Sequence, residues 1–393
     1  MALRATFHPS IEEIDASEWD DLDHLDDPFI SHVFLAAAER HGAVSAGLGW
    51  HPRHLALRDD TGMLCGGLPL YIRTHSFGDF SSDWNWAGAF ERAGIRCYPK
   101  LVSGIPYTPA TGPRLLVRRG LERLPLVREL IAAALEGVRE FESSSWQCLF
   151  VVESQIDDLR QSGFLLRRGC QFHWQNRGYR DFEDFLAGFS SEKRKKVRRE
   201  RRRIAESGLT LEVRHGDEID AELWRSIYPH YRSTFMRYGN HPAFSPEFFS
   251  DVARGLGKRM VVFLARAGTR VIAAAICYRS DTSLYGRHWG AEAEYHSLHF
   301  ELCFYQGIDY CIQHGLSRFE PGAQGEHKVS RGFTPESTWS AYWIANPAMR
   351  RVIAEYLERE QHAMASYQDE MAEHGPYKQA PVAPANPADS PRP

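Results

Sequence analysis

The stretches HLALRDDTGMLCGGLPLY (54–71) and VVFLARAGTRVIAAAICY (261–278) decide the fold, because they repeat one pattern in the two halves of a 393-residue chain. Each is a strand-like run, a tight turn and a second strand that ends in tyrosine, as in a β-hairpin. An apolar helix follows in each half, LPLVRELIAAALEGVREF (124–141) and LHFELCFYQGIDYCIQHG (298–315), and a β-rich segment closes it, SWQCLFVVES and SRFEPG. The same order of elements twice predicts a duplicated α/β domain with mixed sheets flanked by helices.

The join between the halves is predicted within RGYRDFEDFLAGFS (177–190), which assigns 1–180 to the first domain and 181–375 to the second. The second domain is expected to hold a basic helix over 190–207 and a C-terminal helix over 347–374, which Asn346 and Pro347 begin and Gly375 ends. The segment 376–393 contains six prolines and little apolar surface, so it is predicted to be a disordered tail.

Composition indicates a globular protein, with 43% hydrophobic residues and 12% aromatic residues. Seven scattered cysteines fit neither a disulfide framework nor a zinc site and favour a reducing compartment. The N-terminus lacks a signal-peptide pattern, and no apolar run is long enough to cross a membrane. The cytoplasm is therefore the expected location, while a duplicated domain does not decide the oligomeric state.

Positive charge is concentrated in KRKKVRRERRR (193–203), where nine basic residues and one acid give +8 and leave −12 for the rest of a chain of net charge −4. Strong helix formers between Ser190 and Gly208 predict one helix, with Val197, Ile204 and Ala205 as a narrow apolar stripe. Such a helix repels itself unless an anion lies beside it. It predicts phosphate binding, for example to tRNA, a nucleotide-linked substrate, coenzyme A or a membrane surface, and the alternative is a solvated connector. The predicted phosphate-binding residues are Lys193, Arg194, Lys195, Lys196, Arg198, Arg199, Arg201 and Arg202.

A long irregular stretch covers 76–114, with four prolines and seven aromatic residues. A loop of this length in a compact domain is usually functional. Its residues Asp83, Trp84, Trp86, Tyr107 and Thr108 are candidates for a substrate cleft, and aromatic core packing is the alternative for the two tryptophans.

The densest cluster of polar residues is FEPGAQGEHK (319–328), where glycines free the backbone at the end of a strand. The residues between Glu320 and Lys328 present several different functional groups. Upstream, Arg287, His288 and Trp289 end a strand, while His299 and Glu301 begin an otherwise apolar helix. Glu301 is expected either to pair with a cation such as Arg287 or to act as a base with a raised pKa. No nucleophile signature or persuasive metal set is visible.

Three stretches carry a resemblance to a known family: QFHWQNRGYRDFEDFLAGFSSEKRKKVRRERRR (171–203), YGRHWGAEAEYHSLHFELCFYQGIDYCIQHGL (285–316) and EPGAQGEHKVSRGF (320–333). From about Phe29 to Tyr377 the chain resembles bacterial predicted N-acyltransferases of the GNAT superfamily and is similar to the Fem-type peptidoglycan aminoacyltransferases. The resemblance implies tandem GNAT-like domains and transfer of an acyl or aminoacyl group to an amine.

The chain departs from GNAT enzymes that use acyl-CoA, which resemblance would equip with a Gly-rich pyrophosphate turn that opens a helix. VRRGLERL (117–124) and GAEAEYHSLHF (290–300) both lack it. Aminoacyl-tRNA is therefore the expected co-substrate, with no bound cofactor and no metal, and acyl-CoA is the alternative. A non-catalytic module that binds RNA or an anionic glycan precursor is a third interpretation.

The leading hypothesis places a cleft between the loops 76–114 and 320–328. Amine acylation needs a proton acceptor and donors for the developing oxyanion. Glu320, His327 and Glu301 are the candidates for proton handling. Lys328 and Gln324 are the candidates for polarising the carbonyl. The expected substrate-binding residues are Asp83, Trp84, Trp86, Tyr107, Thr108, Arg287, His288, Trp289 and Glu326.

Overall fold

We describe the protein from a computed structural model, which covers residues 2–237, 239–323 and 325–378. Within these ranges the strands are β1 (Arg4–His8), β2 (Trp50–Pro52), β3 (His54–Arg58), β4 (Leu64–Leu68), β5 (Tyr71–Arg73), β6 (Lys100–Ser103), β7 (Leu116–Val117), β8 (Ser145–Val151), β9 (Leu165–Gln175), β10 (Thr210–His215), β11 (Met260–Ala267), β12 (Arg270–Arg279), β13 (Ser283–Ala291), β14 (Arg318–Glu320) and β15 (Thr334–Ile344). The helices are α1 (Ala16–Asp20), α2 (His32–Arg40), α3 (Trp84–Arg92), α4 (Arg123–Glu140), α5 (Ile156–Gln161), α6 (Phe182–Ala187), α7 (Ser191–Ala205), α8 (Ala221–Arg237), α9 (Pro246–Leu256), α10 (Leu298–Phe300), α11 (Gln306–Gln313) and α12 (Pro347–Glu373), and a π-helical turn (Glu301–Tyr305) joins α10 to α11.

The two halves repeat one order of strand pairings, which confirms the predicted duplicated α/β fold. β1 is antiparallel to β3 as β10 is to β11, and β3 is antiparallel to β4 as β11 is to β12. β5 is antiparallel to β6 as β12 is to β13, and β6 then runs parallel to β8 as β13 runs parallel to β14. The segments 54–71 and 261–278 therefore occupy equivalent positions in the two halves.

The halves are joined by an exchange of strands at the centre of one eleven-stranded sheet. Its order is β10-β11-β12-β13-β14-β9-β15-β8-β6-β5-β2. Here β9 of the first half pairs with β14 of the second, and β15 of the second half pairs with β8 of the first. β9 and β15 also pair with each other. We expected two separate sheets that face each other across a cleft, and this expectation was wrong, because the exchange covers the edge strand of each half and makes the sheet continuous.

The hairpin of the first half is split between two sheets, unlike its counterpart. β3 and β4 belong to a four-stranded sheet of order β1-β3-β4-β7, while β2 and β5 belong to the eleven-stranded sheet. Pro69 lies between β4 and β5, where its missing N–H cannot continue a strand ladder. In the second half β12 continues through the equivalent region without a break.

The stretch 76–114 is fixed from below by Lys100, which is fully buried. Its Nζ lies 2.7 Å from Ser76 Oγ, 2.7 Å from Asp83 Oδ2 and 3.0 Å from Asp79 Oδ2. Burial opposes ionisation of Asp83, but the ammonium of Lys100 lowers the pKa of this carboxyl to about 2. A paired charge network of this kind explains why a long irregular segment is ordered.

Two helices at the ends of the second half begin at defined caps. Ser190 is the N-cap of α7, and Asn346 Oδ1 accepts hydrogen bonds from the N–H groups of Ala348 and Met349 at the start of α12. The predicted tail from 376 begins with residues that pack, since the hydroxyl of Tyr377 donates to the carbonyl of Gly332 at 2.7 Å. The rest of that predicted tail, 379–393, lies outside the described residues. In the described ranges, none of the helices combines the length and apolar composition that a bilayer crossing requires.

Candidate active site

A cavity opens where the two parallel strands of the second half diverge. β13 and β14 pair from Ser283 opposite Arg318 to Tyr285 opposite Glu320, after which β13 continues and the other chain turns away at Pro321. Ligands in α/β sheets commonly bind in the crevice beyond the carboxyl ends of such strands. This fork cavity has a volume of about 120 Å³ and is lined by Ala275, Cys277, Gly286, Arg287, His288, Trp289, His299, Cys303, Phe304, Pro321, His327 and Lys328.

A β-bulge places Arg287 at the wall of the fork cavity. His288 lies opposite Ile276 on β12, whereas Gly286 lies opposite Cys277, so Arg287 is the extra residue of β13. A bulge interrupts the hydrogen bonds of the ladder and redirects the side chain of its extra residue, which is why bulges are common beside active sites.

Lys328 supplies an amine to the same cavity. Its side chain is 2% exposed, and Nζ donates to the carbonyl of Gly322 at 2.6 Å. Burial, together with the nearby Arg287 guanidinium, lowers the pKa of Lys328 to about 7. An amine with this pKa accepts a proton at neutral pH, which an ordinary lysine does not.

The turn that carries Lys328 requires glycine at Gly325. This residue has a φ of 113°, and a Cβ added here would lie 2.3 Å from Cε1 of His327. The sequence indicated freedom of the backbone at this position, and the structure shows that the requirement is both conformational and steric.

Three histidines line the fork cavity, and their imidazoles stay neutral near pH 7. Burial lowers the pKa of His299 to about 4 and that of His288 to about 3, and it also lowers the pKa of His327. His299 packs edge-on against Trp289 with ring centroids 5.4 Å apart. His288 packs between aromatic rings that include Tyr231, so its imidazole serves packing more than proton transfer.

A buried ion-pair cluster lies directly beneath the cavity and involves residues that the sequence analysis missed. Glu320 is fully buried, with its Oε1 3.1 Å from Arg318 Nη2 and its Oε2 3.5 Å from Arg287 Nη2. His173 of β9 places Nε2 4.0 Å from Glu320 Oε2, and burial lowers the pKa of this histidine to about 4. These contacts join β9 to β13 and β14, so they could be predicted only by knowing the strand exchange.

Asp27 and Arg114 extend the same cluster. Asp27 Oδ2 lies 3.8 Å from Arg114 Nη1, and burial raises the pKa of Asp27 to about 6 in spite of this neighbour. Arg114 ends the irregular loop and is fully buried, donating from Nη2 to the carbonyl of Ala110 at 2.8 Å. Its sequence context, TGPRLL, gave no sign of a buried charge.

The acidic candidates of the second half do not line the fork cavity. Glu320 lies beneath it in the ion-pair cluster. Glu301 was expected to pair with Arg287 or to act as a base, but its Oε1 accepts from Arg201 at 3.1 Å and from Gln306 at 2.8 Å on the side of α7. Glu326 is exposed and accepts from the hydroxyl of Tyr367 at 2.9 Å. The remaining catalytic candidate, Gln324, lies outside the described residues.

The candidates in the loop 76–114 are separated from the fork cavity, contrary to the expectation of one shared cleft. Asp83 is buried at Lys100, and Thr108 is 4% exposed and donates to the carbonyl of Pro106. Trp86 packs edge-on against Tyr342, with ring centroids 4.8 Å apart. The aromatic-packing alternative therefore applies to Trp86.

Two further candidates of that loop differ in exposure. Trp84 is 50% exposed and packs against Phe77. Tyr107 packs between Trp50 and Phe244, each ring centroid 5.7 Å away. Neither residue lines the fork cavity.

A second opening, the central groove, lies over the exchanged strands. It has a volume of about 290 Å³ and is lined by Phe80, Ser81, Ser82, Pro109, Phe150, Arg167, Arg168, Gly169, Cys170, Gln171, Ala323, Thr338, Ser340, Tyr342, Glu360 and Met364. Its Ala323 comes from the second of the two loops that were expected to meet, so the loops do approach each other here. The insertion of β9 and β15 between the halves separates this groove from Lys328.

The basic helix α7 packs through three buried residues, Val197, Ile204 and Glu200. The expected stripe included Ala205, which is exposed, and not Glu200. Glu200 accepts hydrogen bonds from the hydroxyl of Tyr305 and, at 3.0 Å, from Arg331 Nη2. The single acid of the basic run is therefore the residue that attaches this helix to the domain.

Two of the eight predicted phosphate-binding residues already have acidic partners. Arg201 Nη2 lies 2.7 Å from Asp309 Oδ2 and also contacts Glu301, and Arg198 Nε donates to Glu183 at 3.0 Å. In the described part of the chain, no carboxylate lies within ion-pair distance of the others, which are Lys193, Arg194, Lys195, Lys196, Arg199 and Arg202.

Arg331 connects α7 to the fork cavity. Its guanidinium lies 3.4 Å from the ring centroid of Phe300, and Nη1 donates to the carbonyl of His327 at 2.9 Å. Because His327 and Lys328 are adjacent, a ligand held on α7 lies next to the turn that carries the cavity amine. Among the described residues, no group of three or more His, Cys, Asp or Glu is placed to hold a metal ion.

A duplicated α/β fold with a cavity at the strand fork defines the class of GNAT-like tandem proteins, and comparison with known families agrees. Residues 10–379 match the FemAB-like family, described by peptidoglycan biosynthesis and recognition, and the chain belongs to this family. The comparison with curated proteins found no match.

Solved structures with this fold share little sequence with the chain. FemX has a TM-score of 0.54 at 12% identity, covering 90% of this chain and 100% of its own. The C-terminal domain of a putative lysylphosphatidylglycerol synthetase from Agrobacterium fabrum has a TM-score of 0.51 at 13% identity, covering 88% of this chain and 97% of its own. A tandem GNAT protein from the clavulanic acid biosynthesis pathway has a TM-score of 0.43 at 13% identity, covering 88% and 99%.

Proposed function

We propose that this protein is an N-acyltransferase that moves an aminoacyl group from aminoacyl-tRNA to an amine acceptor in the fork cavity. The observation that carries the proposal is the buried amine of Lys328, which lines a cavity beside the β-bulge at Arg287. The family description supports an acceptor related to peptidoglycan precursors. A tRNA donor would place the reaction in the cytoplasm.

The proposed reaction needs one proton acceptor and one oxyanion site. The acceptor nitrogen attacks the ester carbonyl carbon, an N–C bond forms, and the C–O bond to the terminal ribose of the tRNA breaks. Neutral Lys328 takes a proton from the attacking amine, and the ribose oxygen leaves with a proton. The backbone N–H groups that the bulge frees from the ladder are placed to stabilise the developing oxyanion.

This assignment changes the role of Lys328 from the one expected. A cationic lysine polarises a carbonyl, whereas a lysine with a pKa of about 7 is a proton acceptor. Neutral His299 and His327 lie in the same wall and provide further hydrogen-bonding groups. Glu320 is assigned to holding Arg287 and not to proton transfer, because it lies under the cavity wall.

The tRNA donor is supported by α7. The cations from Lys193 to Arg203 extend over roughly 15 Å at 1.5 Å per residue, which matches the phosphates of a nucleic-acid strand better than one diphosphate. The contact of Arg331 with His327 and Glu200 then places the end of that strand near the cavity.

An acyl-CoA donor is the second candidate, supported by a groove on the other side of α7. This groove has a volume of about 410 Å³ and is lined by Glu183, Arg198, Arg201, Arg202, Ile204, Ala205, Leu209, Leu211, Glu301 and Gln306. Its size suits a compact diphosphate, but two of its three arginines are already paired.

The experiment that tests the proposal supplies the full chain with two donors at once. A pool of tRNA charged with ¹³C-labelled amino acids and a mixture of ¹⁵N-labelled acyl-CoA carriers is incubated with a mixture of amines, and amide products are identified by mass spectrometry. We expect amides that carry the ¹³C label. Amides that carry only unlabelled acyl groups would move the assignment to acyl-CoA, and the absence of every amide would favour a binding module.

A further inference from the structure

The charge of the fork cavity is one-sided. Two cationic side chains, Arg287 and Lys328, line it, and the wall listed above contains no carboxylate. The other polar members of the wall are imidazoles and thiols. An enclosed surface with basic groups and no acid is complementary to an anion.

Arg287 keeps unused hydrogen-bonding capacity at this wall. Its side chain is 3% exposed, and Nη1 donates to the carbonyl of Gly286 at 3.0 Å. Nε and Nη2 have no hydrogen-bond partner, although both are buried. Buried guanidinium N–H groups without partners are costly unless a ligand meets them.

The nearest carboxylate does not neutralise Arg287 alone. Glu320 Oε2 lies 3.5 Å from Arg287 Nη2, but its Oε1 lies closer, at 3.1 Å, to Arg318. Glu320 therefore divides its charge between two guanidinium groups. Lys328 has only a carbonyl, that of Gly322, as its hydrogen-bond partner.

We infer that the fork cavity binds a carboxylate, so that the acceptor amine belongs to an amino acid or peptide whose carboxylate is held by Arg287. This inference rests on the proposed function for its reaction and adds the class of acceptor. Arg287 offers two N–H groups in the fork arrangement that suits a carboxylate. Lys328 then faces the amine of the same molecule.

The size of the cavity agrees with this class. Its volume of about 120 Å³ exceeds several-fold the ~30 Å³ that one water occupies in the liquid. It holds a group of amino-acid size, while a nucleotide or a sugar ring with its substituents exceeds it. The rings of Trp289, His299 and Phe304 close its sides, which strengthens a charge-assisted hydrogen bond by excluding water.

The test compares two probes that differ only in charge, N-acetylglycine and its neutral amide, N-acetylglycinamide. Binding to the full chain is measured by saturation-transfer NMR, and the acetylation rate of Lys328 by dilute acetic anhydride is measured by peptide mass spectrometry. We expect the carboxylate to bind at least tenfold more tightly than the amide and to slow acetylation of Lys328. Equal binding of the two probes, or no protection of Lys328, would overturn the inference on the wild-type protein alone.

A double variant, Arg287→Gln with Glu320→Gln, removes both partners of the buried pair and so avoids leaving one charge unpaired. We expect it to lose the preference for the carboxylate at least tenfold, while Arg254→Gln at an exposed position retains it. An unchanged preference in a folded double variant would assign the probe to another site and contradict the inference.

The inference and the proposed function fail separately. Amide formation without preference for the carboxylate probe contradicts only the acceptor class. Binding of the carboxylate without any amide product contradicts only the transferase.

Discussion

Replacing Lys328 by methionine tests the buried amine through the stability of the protein. Methionine keeps most of the side-chain volume and removes the titratable group. The pKa of Lys328 falls from 10.5 in the unfolded chain to about 7 in the folded protein. Between these values the unfolded chain binds one more proton, so the stability that the neutral amine contributes is complete above about pH 10.5 and is lost as the pH falls toward 7.

The magnitude follows from the size of this shift. At ~1.4 kcal/mol per pH unit, protonation of the unfolded chain costs the wild-type protein about 4 kcal/mol of unfolding free energy at pH 7. Methionine also loses the hydrogen bond to Gly322, worth about 1 kcal/mol. We therefore expect Lys328→Met to be more stable than wild type by about 3 kcal/mol at pH 7. This advantage should disappear, and slightly reverse, near pH 10.

The assay is urea unfolding of both proteins at pH values from 6 to 10.5, followed by tryptophan fluorescence. Lys258→Met, at an exposed position, is the matched control and should show no such trend. A difference between Lys328→Met and wild type that stays constant over this pH range would refute the assignment of a lowered pKa to Lys328.

Three further predictions concern the charged clusters. Changing Lys195, Arg199 and Arg202 to Gln should reduce the dependence of log binding on log salt by about two to three, at 0.7 to 0.9 per phosphate, in gel shifts with bulk tRNA; an unchanged slope would make α7 a connector. Glu200→Gln should weaken the attachment of α7 by roughly 1.5 to 3 kcal/mol, seen as faster hydrogen exchange in α7, because a charged acceptor of two hydrogen bonds is lost. Lys100→Met should destabilise the protein by about 3 to 5 kcal/mol at pH 7 and less near pH 3, since two buried carboxylates lose their cation; thermal melts with full wild-type stability would contradict this.

The duplicated fold was predictable because its signals are local. Each half repeats a hairpin, a helix and a closing strand, and the caps Ser190 and Asn346 begin the two long helices near the expected positions. The exchange of β9 and β15 was not predictable, since strand partners depend on contacts between residues far apart in sequence. This one feature explains why the two loops line different openings.

The candidate site was predicted in part for the same reason. Lys328, His327 and Arg287 share one cavity, and their residue types in a glycine-rich turn and at a strand end indicated a site. The positions of Asp27, Arg114 and His173 depend on the exchanged strands. The burial of Glu301 beside Arg201 depends on how α7 packs, which the charge run alone does not indicate.

The central claim is that acyl transfer takes place in the fork cavity, and the most direct measurement is the rate of amide formation by Lys328→Met beside wild type and the Lys258→Met control. All three proteins are first shown to be folded, and each receives the same charged-tRNA pool and amine mixture. Loss of a proton acceptor typically costs 10²- to 10⁴-fold in rate. We predict a loss in this range for Lys328→Met alone; a rate equal to wild type would contradict the account.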